Sequence, residues 1–132
     1  MKTKNIKQTV KLNAKPADCY EMIIDAKKHG KLTGGKTTMN KKPKGKFQVF
    51  DGYVRGYNIE LTEGKKIVQA WYFAEEGWPE DHFSICTFDF AKDGKGTKLT
   101  FTQEGVPEQN AEDLKKGWKK YYWEPMREMF KV

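Results

Sequence analysis

The 132-residue chain carries 25 lysines and arginines against 18 aspartates and glutamates, a formal net charge of +7. With 37% hydrophobic and 14% aromatic residues, it has too much large apolar surface for a disordered chain. That is enough for one folded domain, residues 1–132, needing neither disulfides nor metal. No apolar run is long enough to span a bilayer, and residues 1–10 are basic without the apolar stretch of a leader, so a soluble cytoplasmic protein is expected.

Residues 6–12 read as a strand, with Ile6, Gln8, Val10 and Leu12 on one face and Lys7, Thr9 and Lys11 on the other. A helix follows. Pro16 suits its first turn, Asp18 and Glu21 suit the positive end of its dipole, Tyr20, Ile23 and Ile24 repeat at helical spacing, and Gly30 is expected to end it. Residues 31–46, with Gly34, Gly35, Asn40, Pro43 and Gly45, read as loop. Five strands come next, at 47–50, 53–61, 66–73, 82–91 and 97–104. Short turns such as Asp51-Gly52, Glu63-Gly64 and Asp93-Gly94 make neighbouring strands antiparallel. In the fourth of these, Ser84, Cys86, Phe88 and Phe90 share a face that is placed toward the core, because the alternate face ends in Asp89. Residues 111–130 return to helical spacing, with Asn110 as the expected cap and Pro125 expected to kink or restart the helix near Trp123 and Glu124. The fold class is therefore α+β: a curved antiparallel sheet wrapped around a long C-terminal helix, with short helical structure after the first strand. A sheet curved over a helix leaves space between them, and such pockets are mostly apolar with a few polar groups.

Motifs for chemistry are sparse. Residues 30–37 satisfy G-x-x-x-x-G-K-[ST], but a phosphate loop needs a buried parallel strand before it and a helix after it. Neither is expected here, so nucleotide binding is set aside. Ser84 is the only serine and lies mid-strand, without the sharp turn that exposes a nucleophile. His29 and His82 have no partner at metal-ligand spacing, and His82 reads as a hydrogen-bonded structural residue at a loop edge. Glu75-Glu76 and Glu80-Asp81 read as solvated turns. Cys19 and Cys86 read as buried thiols. No catalytic residue, metal or cofactor is expected.

The charge is concentrated. Between residues 27 and 46 stand eight lysines and no acidic residue, which leaves the rest of the chain near neutral. Such a segment suits an acidic protein surface, an anionic membrane or a phosphate backbone. Nucleic acid is disfavoured because the aromatics alternate as core residues instead of interleaving with lysines.

A family resemblance is carried by ordered motifs. They are Gly45-Lys46-Phe47, Phe50-Asp51-Gly52-Tyr53-Val54-Arg55-Gly56-Tyr57-Asn58, Ile67-Val68-Gln69 with Trp71, Trp78-Pro79-Glu80-Asp81-His82, Gly105-Val106-Pro107, and Gly117-Trp118 with Tyr121-Tyr122-Trp123. In this order and spacing, over about residues 6–130, the chain resembles the domain named after the activator of heat shock protein 90 ATPase. The resemblance implies a helix-grip fold of the START-like superfamily. It also implies contact with a heat shock protein 90-type chaperone, which the eukaryotic activator makes through this domain as its C-terminal half. The activator's N-terminal half supplies most of the affinity and the stimulating segments, and nothing in these residues matches it, so binding is expected without strong activation. Where the family usually has Gly in its W-P-E-G-H run, this chain has Asp81, which removes a residue that tolerates positive φ.

Two functional readings follow. One is a non-enzymatic binding module whose lysines Lys27, Lys28, Lys31, Lys36, Lys41 and Lys42 dock an acidic protein surface, with no nucleic-acid or membrane partner. The other is a carrier or sensor of a small apolar ligand held between sheet and helix, near Phe47, Trp71, Phe88, Phe101, Trp118, Tyr122 and Met126. An enzyme of the superfamily's hydrolase or cyclase type lacks a nucleophile–base pair here.

Overall fold

Alternating burial along the chain sets up the sheet. In the computed structural model, whose described residues are 1–131, strand β1 (Thr3–Leu12) buries Ile6, Val10 and Leu12 and exposes the lysines between them. Six further strands follow: β2 (Thr38–Met39), β3 (Lys46–Val49), β4 (Val54–Thr62), β5 (Lys66–Phe73), β6 (Ser84–Asp93) and β7 (Gly96–Pro107). They form one antiparallel sheet in the order β1-β7-β6-β5-β4-β3-β2. Every neighbour after β2 is a sequential hairpin, and β1 closes onto the last strand. The curved sheet grips a long C-terminal helix, the helix-grip architecture expected from the resemblance. Ser84, Cys86, Phe88 and Phe90 face inward as their alternation implies.

Gly56 on β4 stands opposite Trp71 on β5, and a side chain there would collide with the carbonyl oxygen of Ala70 and the ring of Phe47. Its bareness lets Phe47 and Trp71 meet, with ring centroids 5.4 Å apart.

The helical region after β1 differs from expectation. It is two helices, α1 (Pro16–Ile24) and α2 (Ala26–Thr33), broken at Asp25, which is extended at φ −89° and ψ 122°. Asp25 closes α1 with its backbone N–H and caps α2 with its carboxylate, which accepts from the Lys28 N–H at 3.0 Å. Gly30 does not stop the helix. That role falls to Gly34, left-handed at φ 78°, whose N–H returns to the Gly30 carbonyl at 2.8 Å. Residues 30–37 are thus a helix C-terminus and its exit, the reverse of a phosphate loop.

The C-terminal helix begins after a 3₁₀ turn (Glu108–Asn110) as α3 (Ala111–Trp118), widens into a π turn (Lys119–Trp123), and resumes as α4 (Glu124–Met129). Pro125 sits in the first turn of α4, where its missing N–H costs little, so the restart occurs where it is expected. The π turn has a packing consequence. It brings residues five apart into line, so Trp118 and Trp123 stack with centroids 5.7 Å and planes 16° apart. Trp123 also donates its indole N–H to Gln8 Oε1 at 2.6 Å, and Gln8 Nε2 donates to the Lys115 carbonyl at 3.2 Å, fastening the helix to β1.

Candidate ligand cavity and basic face

Between the curved sheet and the C-terminal helix lies a partly open cavity of about 840 Å³. From the sheet come Trp71 and Phe73 and, two residues further on the same alternation, Glu75. The helix presents Asn110, Asp113, Leu114, Gly117, Trp118 and Tyr121, a stripe at three-to-four spacing. Gly117 is the gap in that stripe, since a Cβ built there meets nothing within 4 Å. The exit of α2 and the β3–β4 turn, with Phe50 and Tyr53, supply the remaining wall.

That turn is strained. Phe50 and Asp51 are left-handed at φ 54° and 56°, followed by Gly52 at 90°, and positive φ is rare for so bulky a residue as Phe. It is held by the Asp51 N–H donating to the Lys36 carbonyl at 2.9 Å and by Phe50 meeting Tyr121 edge-on at 5.6 Å. The strain places an aromatic ring at the rim. Asp81, where the family usually has a Gly that tolerates positive φ, adopts the left-handed φ of 58° itself.

Polar groups cluster at one end. Tyr53 donates its hydroxyl to Glu75 Oε1, and Asn110 Nδ2 donates to Glu75 Oε2 and to the Glu76 carbonyl, at 2.5, 2.5 and 3.0 Å. Burial and the Glu75 carboxylate raise the Tyr53 phenol above its ordinary pKa. Asn110 is therefore no helix cap: its side chain crosses to the sheet, and its Oδ1 is buried with no partner among the described residues.

Behind the cavity the walls are fixed by buried hydrogen bonds. Trp118 Nε1 donates to Gln103 Oε1 at 2.8 Å, Gln103 Nε2 to Ser84 Oγ at 2.9 Å, and Ser84 Oγ to the Trp71 carbonyl at 3.0 Å. The lone serine is thus a structural link. His29 is wholly buried between the Ile23 carbonyl and the Tyr122 hydroxyl, each at 2.7 Å. A carbonyl only accepts, so Nδ1 carries the proton and Nε2 accepts from Tyr122. Burial lowers the His29 pKa to about 4 and raises that of Tyr122. His82 bonds the Gly105 carbonyl through Nε2 at 2.6 Å, the structural role its loop-edge position implies. Cys19 and Cys86 are buried, and burial pushes both thiols up.

Of the seven residues expected around a ligand, Trp71, Trp118 and Tyr122 line the cavity. Phe47, Phe88, Phe101 and Met126 do not: they are solid core behind it. Sequence reading missed Phe50, Tyr53, Glu75, Asn110, Tyr121 and Gly117. The usable signals were the continuation of the β5 alternation into Glu75 and the helical stripe from Asn110 to Tyr121.

The lysine segment is more ordered than a loop. Asn58 clamps it: its backbone exchanges hydrogen bonds with Lys44 N–H and the Gly45 carbonyl, and its Nδ2 donates to the carbonyls of Asn40 and Lys42. Gln69 in turn holds Asn58 Oδ1, and Trp71 Nε1 holds Gln69 Oε1, both at 2.9 Å. Lys41 bridges Glu21 at 3.3 Å and Asp25 at 3.2 Å, tying the segment to the break between α1 and α2. Those partners raise the Lys41 pKa, and the amide of Lys28, followed by Lys41, lowers that of Asp25. Lys41 is therefore an internal tie, while Lys27, Lys28, Lys31, Lys36 and Lys42 are exposed and form no ion pair among the described residues.

The family described as Activator of Hsp90 ATPase homolog 1-like protein matches residues 13–131. The chain belongs to this family. It is 30% identical over 97% of its length to a Dictyostelium discoideum activator of 90 kDa heat shock protein ATPase homolog, and 30% identical over 87% to the human homolog 1. It spans about a third of each of these relatives, 33% in both cases. Among solved structures, an HSP90 activator from Plasmodium falciparum superposes with a TM-score of 0.81 at 28% identity, covering 89% of each chain. A Chromobacterium violaceum protein (TM-score 0.80, 20% identity, 97% of each chain) and the protein Ara h 8.0201 (0.77, 12%, 98% of each) share the fold alone.

Proposed function

We propose that the chain is a non-enzymatic, cytoplasmic, co-chaperone-type binding module that docks an acidic surface of a heat shock protein 90-type chaperone. Family membership supports the class of partner. The observation that carries the reading is the clamped basic face: exposed Lys27, Lys28, Lys31, Lys36 and Lys42 stand on α2 and on a segment fixed to the sheet through Asn58. Ammonium groups on a rigid frame steer an acidic partner with little ordering cost, and the attraction weakens with salt. Calorimetry against the chaperone of the same organism tests it. Reversing Lys27, Lys28, Lys31 and Lys36 to Glu is expected to weaken binding by about tenfold or more at low salt. Reversing the exposed Lys7 on the edge strand β1 and Lys98 on its neighbour β7, at the far side of the sheet, should leave it unchanged. Equal losses from both sets, or no heat with the unaltered protein, would sink the proposal.

A second reading is favoured by the cavity: a small molecule with apolar parts held between sheet and helix. Its volume is within the range, roughly 300–1,000 Å³, of small-molecule sites. Native mass spectrometry of protein purified without heating is expected to show a discrete added mass that organic extraction removes. Its loss in Gly117→Leu, which fills the empty gap in the helix stripe, would place the ligand there.

A further inference from the structure

The cavity's charge runs against that of the protein. Glu75, Glu76 and Asp113 line it, and no lysine, arginine or histidine does so among the described residues, although the chain as a whole is +7. Its apolar wall is built from aromatic rings, Trp71, Phe73 and Trp118 at the base and Phe50 and Tyr121 at the rim. The face of an aromatic ring is electron-rich and attracts an ammonium or guanidinium group, more strongly as water is excluded. One such pair already exists at the rim, where Lys120 Nζ lies 5.3 Å from the centroid of Tyr121.

Two further features point the same way. Among the described residues the Glu75 carboxylate accepts two hydrogen bonds, from Tyr53 and Asn110, and has lone-pair sites left for a charged donor. Asn110, 6% exposed, commits its amide hydrogens to Glu75 Oε2 and the Glu76 carbonyl, which fixes that carboxylate in the wall, while its own Oδ1 is buried without a partner among the described residues. The carboxylates do not converge with other ligands into a metal cage among the described residues.

We infer that this cavity takes a small organic cation, an amine or quaternary ammonium on an apolar body. The body lies on Trp71, Phe73 and Trp118, and the charged end meets Glu75, Glu76 and Asp113. The inference rests on the small-molecule reading above and adds the sign of the ligand's charge. A carboxylate ligand of the same shape would face three carboxylates, and a neutral one would gain only the apolar contact.

The test is a charge series on one two-ring body: 4-phenylbenzylamine, 4-phenylbenzyl alcohol and 4-phenylbenzoate, titrated by calorimetry into the full chain. The amine is expected to bind about tenfold or more tighter than the alcohol, with the benzoate weakest. In Glu75→Gln the amine should fall toward the alcohol, and in Gly117→Leu all three should be lost. Should Glu75→Gln disturb folding, Asp113→Asn, at an exposed position, tests the same charge. Amine and alcohol binding equally, or the benzoate binding tightest, would overturn the cation and leave the cavity reading standing. No binding by any probe would overturn both.

Discussion

Replacing Trp118 by alanine is expected to remove about 4 kcal/mol of stability, the cost of deleting a buried indole, with a further loss from the acceptor it leaves behind. Trp118 is the hub of the core. Its ring meets Phe101 at 4.3 Å, Tyr122 at 4.6 Å, Trp71 at 5.0 Å and Phe88 at 6.0 Å, besides the stacked Trp123. Its N–H satisfies Gln103 Oε1, the first link of the chain through Ser84 to the Trp71 carbonyl. Trp118→Phe keeps most of the apolar area and loses only that donor, so about 1–2 kcal/mol is expected. Urea midpoints of the two variants separate packing from hydrogen bonding. A Trp118→Ala protein within about 1 kcal/mol of the parent would mean that the cluster relaxes around the gap and that the hub reading is wrong.

Acid should weaken the protein through His29. Unfolded, this histidine titrates near the ordinary 6.5; folded, burial lowers it to about 4. Above pH 6.5 it is neutral in both states, and the native state keeps its full advantage. Between pH 6.5 and 4 the unfolded chain binds a proton that the folded chain refuses, so stability falls as pH falls. At 1.36 kcal/mol per pH unit, a gap of 2.5 units is worth about 3 kcal/mol. Denaturant midpoints from pH 7.5 to 4, compared with those of His29→Gln, isolate the effect, because His82 and the carboxylates are common to both. The variant should be less stable at neutral pH, having lost the fit to Ile23 and Tyr122, but flatter with pH. Parallel curves would show that His29 is not the titrating group.

Periodicity carried the sheet and the helix, because both bury one face and expose the other. The inward set from Ser84 to Phe90 and the restart at Pro125 follow from side-chain alternation and from a missing N–H, both local properties. The break at Asp25 was hidden because one residue closes α1 with its backbone N–H, caps α2 with its carboxylate and pairs with a distant Lys41, and no single window contains all three. Strand β2, two residues long, has no period to read. The family resemblance supplied the architecture's name and the class of partner proposed for the basic face. It did not mark the cavity.

The cavity was only half legible for a different reason. Phe88 and Trp71 look alike in a sequence, since both are aromatic residues on an inward face. What separates solid core from lining is empty space, and space is made here by Gly117, by the glycines at the exit of α2 and by the strained turn at Phe50. Asn110 illustrates the same limit. It stands where a cap belongs, yet a 3₁₀ turn precedes the helix and Glu75 stands opposite, so the amide reaches across instead.

The π turn makes the length of one segment as binding as its composition. Trp118 and Trp123 stack because the widened turn there spaces its hydrogen bonds five residues apart, and Tyr122 and Trp123 can then both point inward beside Met126. A chain one residue shorter between positions 119 and 123 would close this turn as ordinary α-helix, which accommodates a four-residue spacing. The indole would swing off its partner, or everything after it would rotate by about 100° and carry Met126 toward water. Substitutions at the outward Lys119 and Lys120 are tolerable by comparison. In this helix an insertion or deletion is the graver kind of change, and a relative's helix can be compared with it by counting residues between tryptophans before comparing the residues themselves.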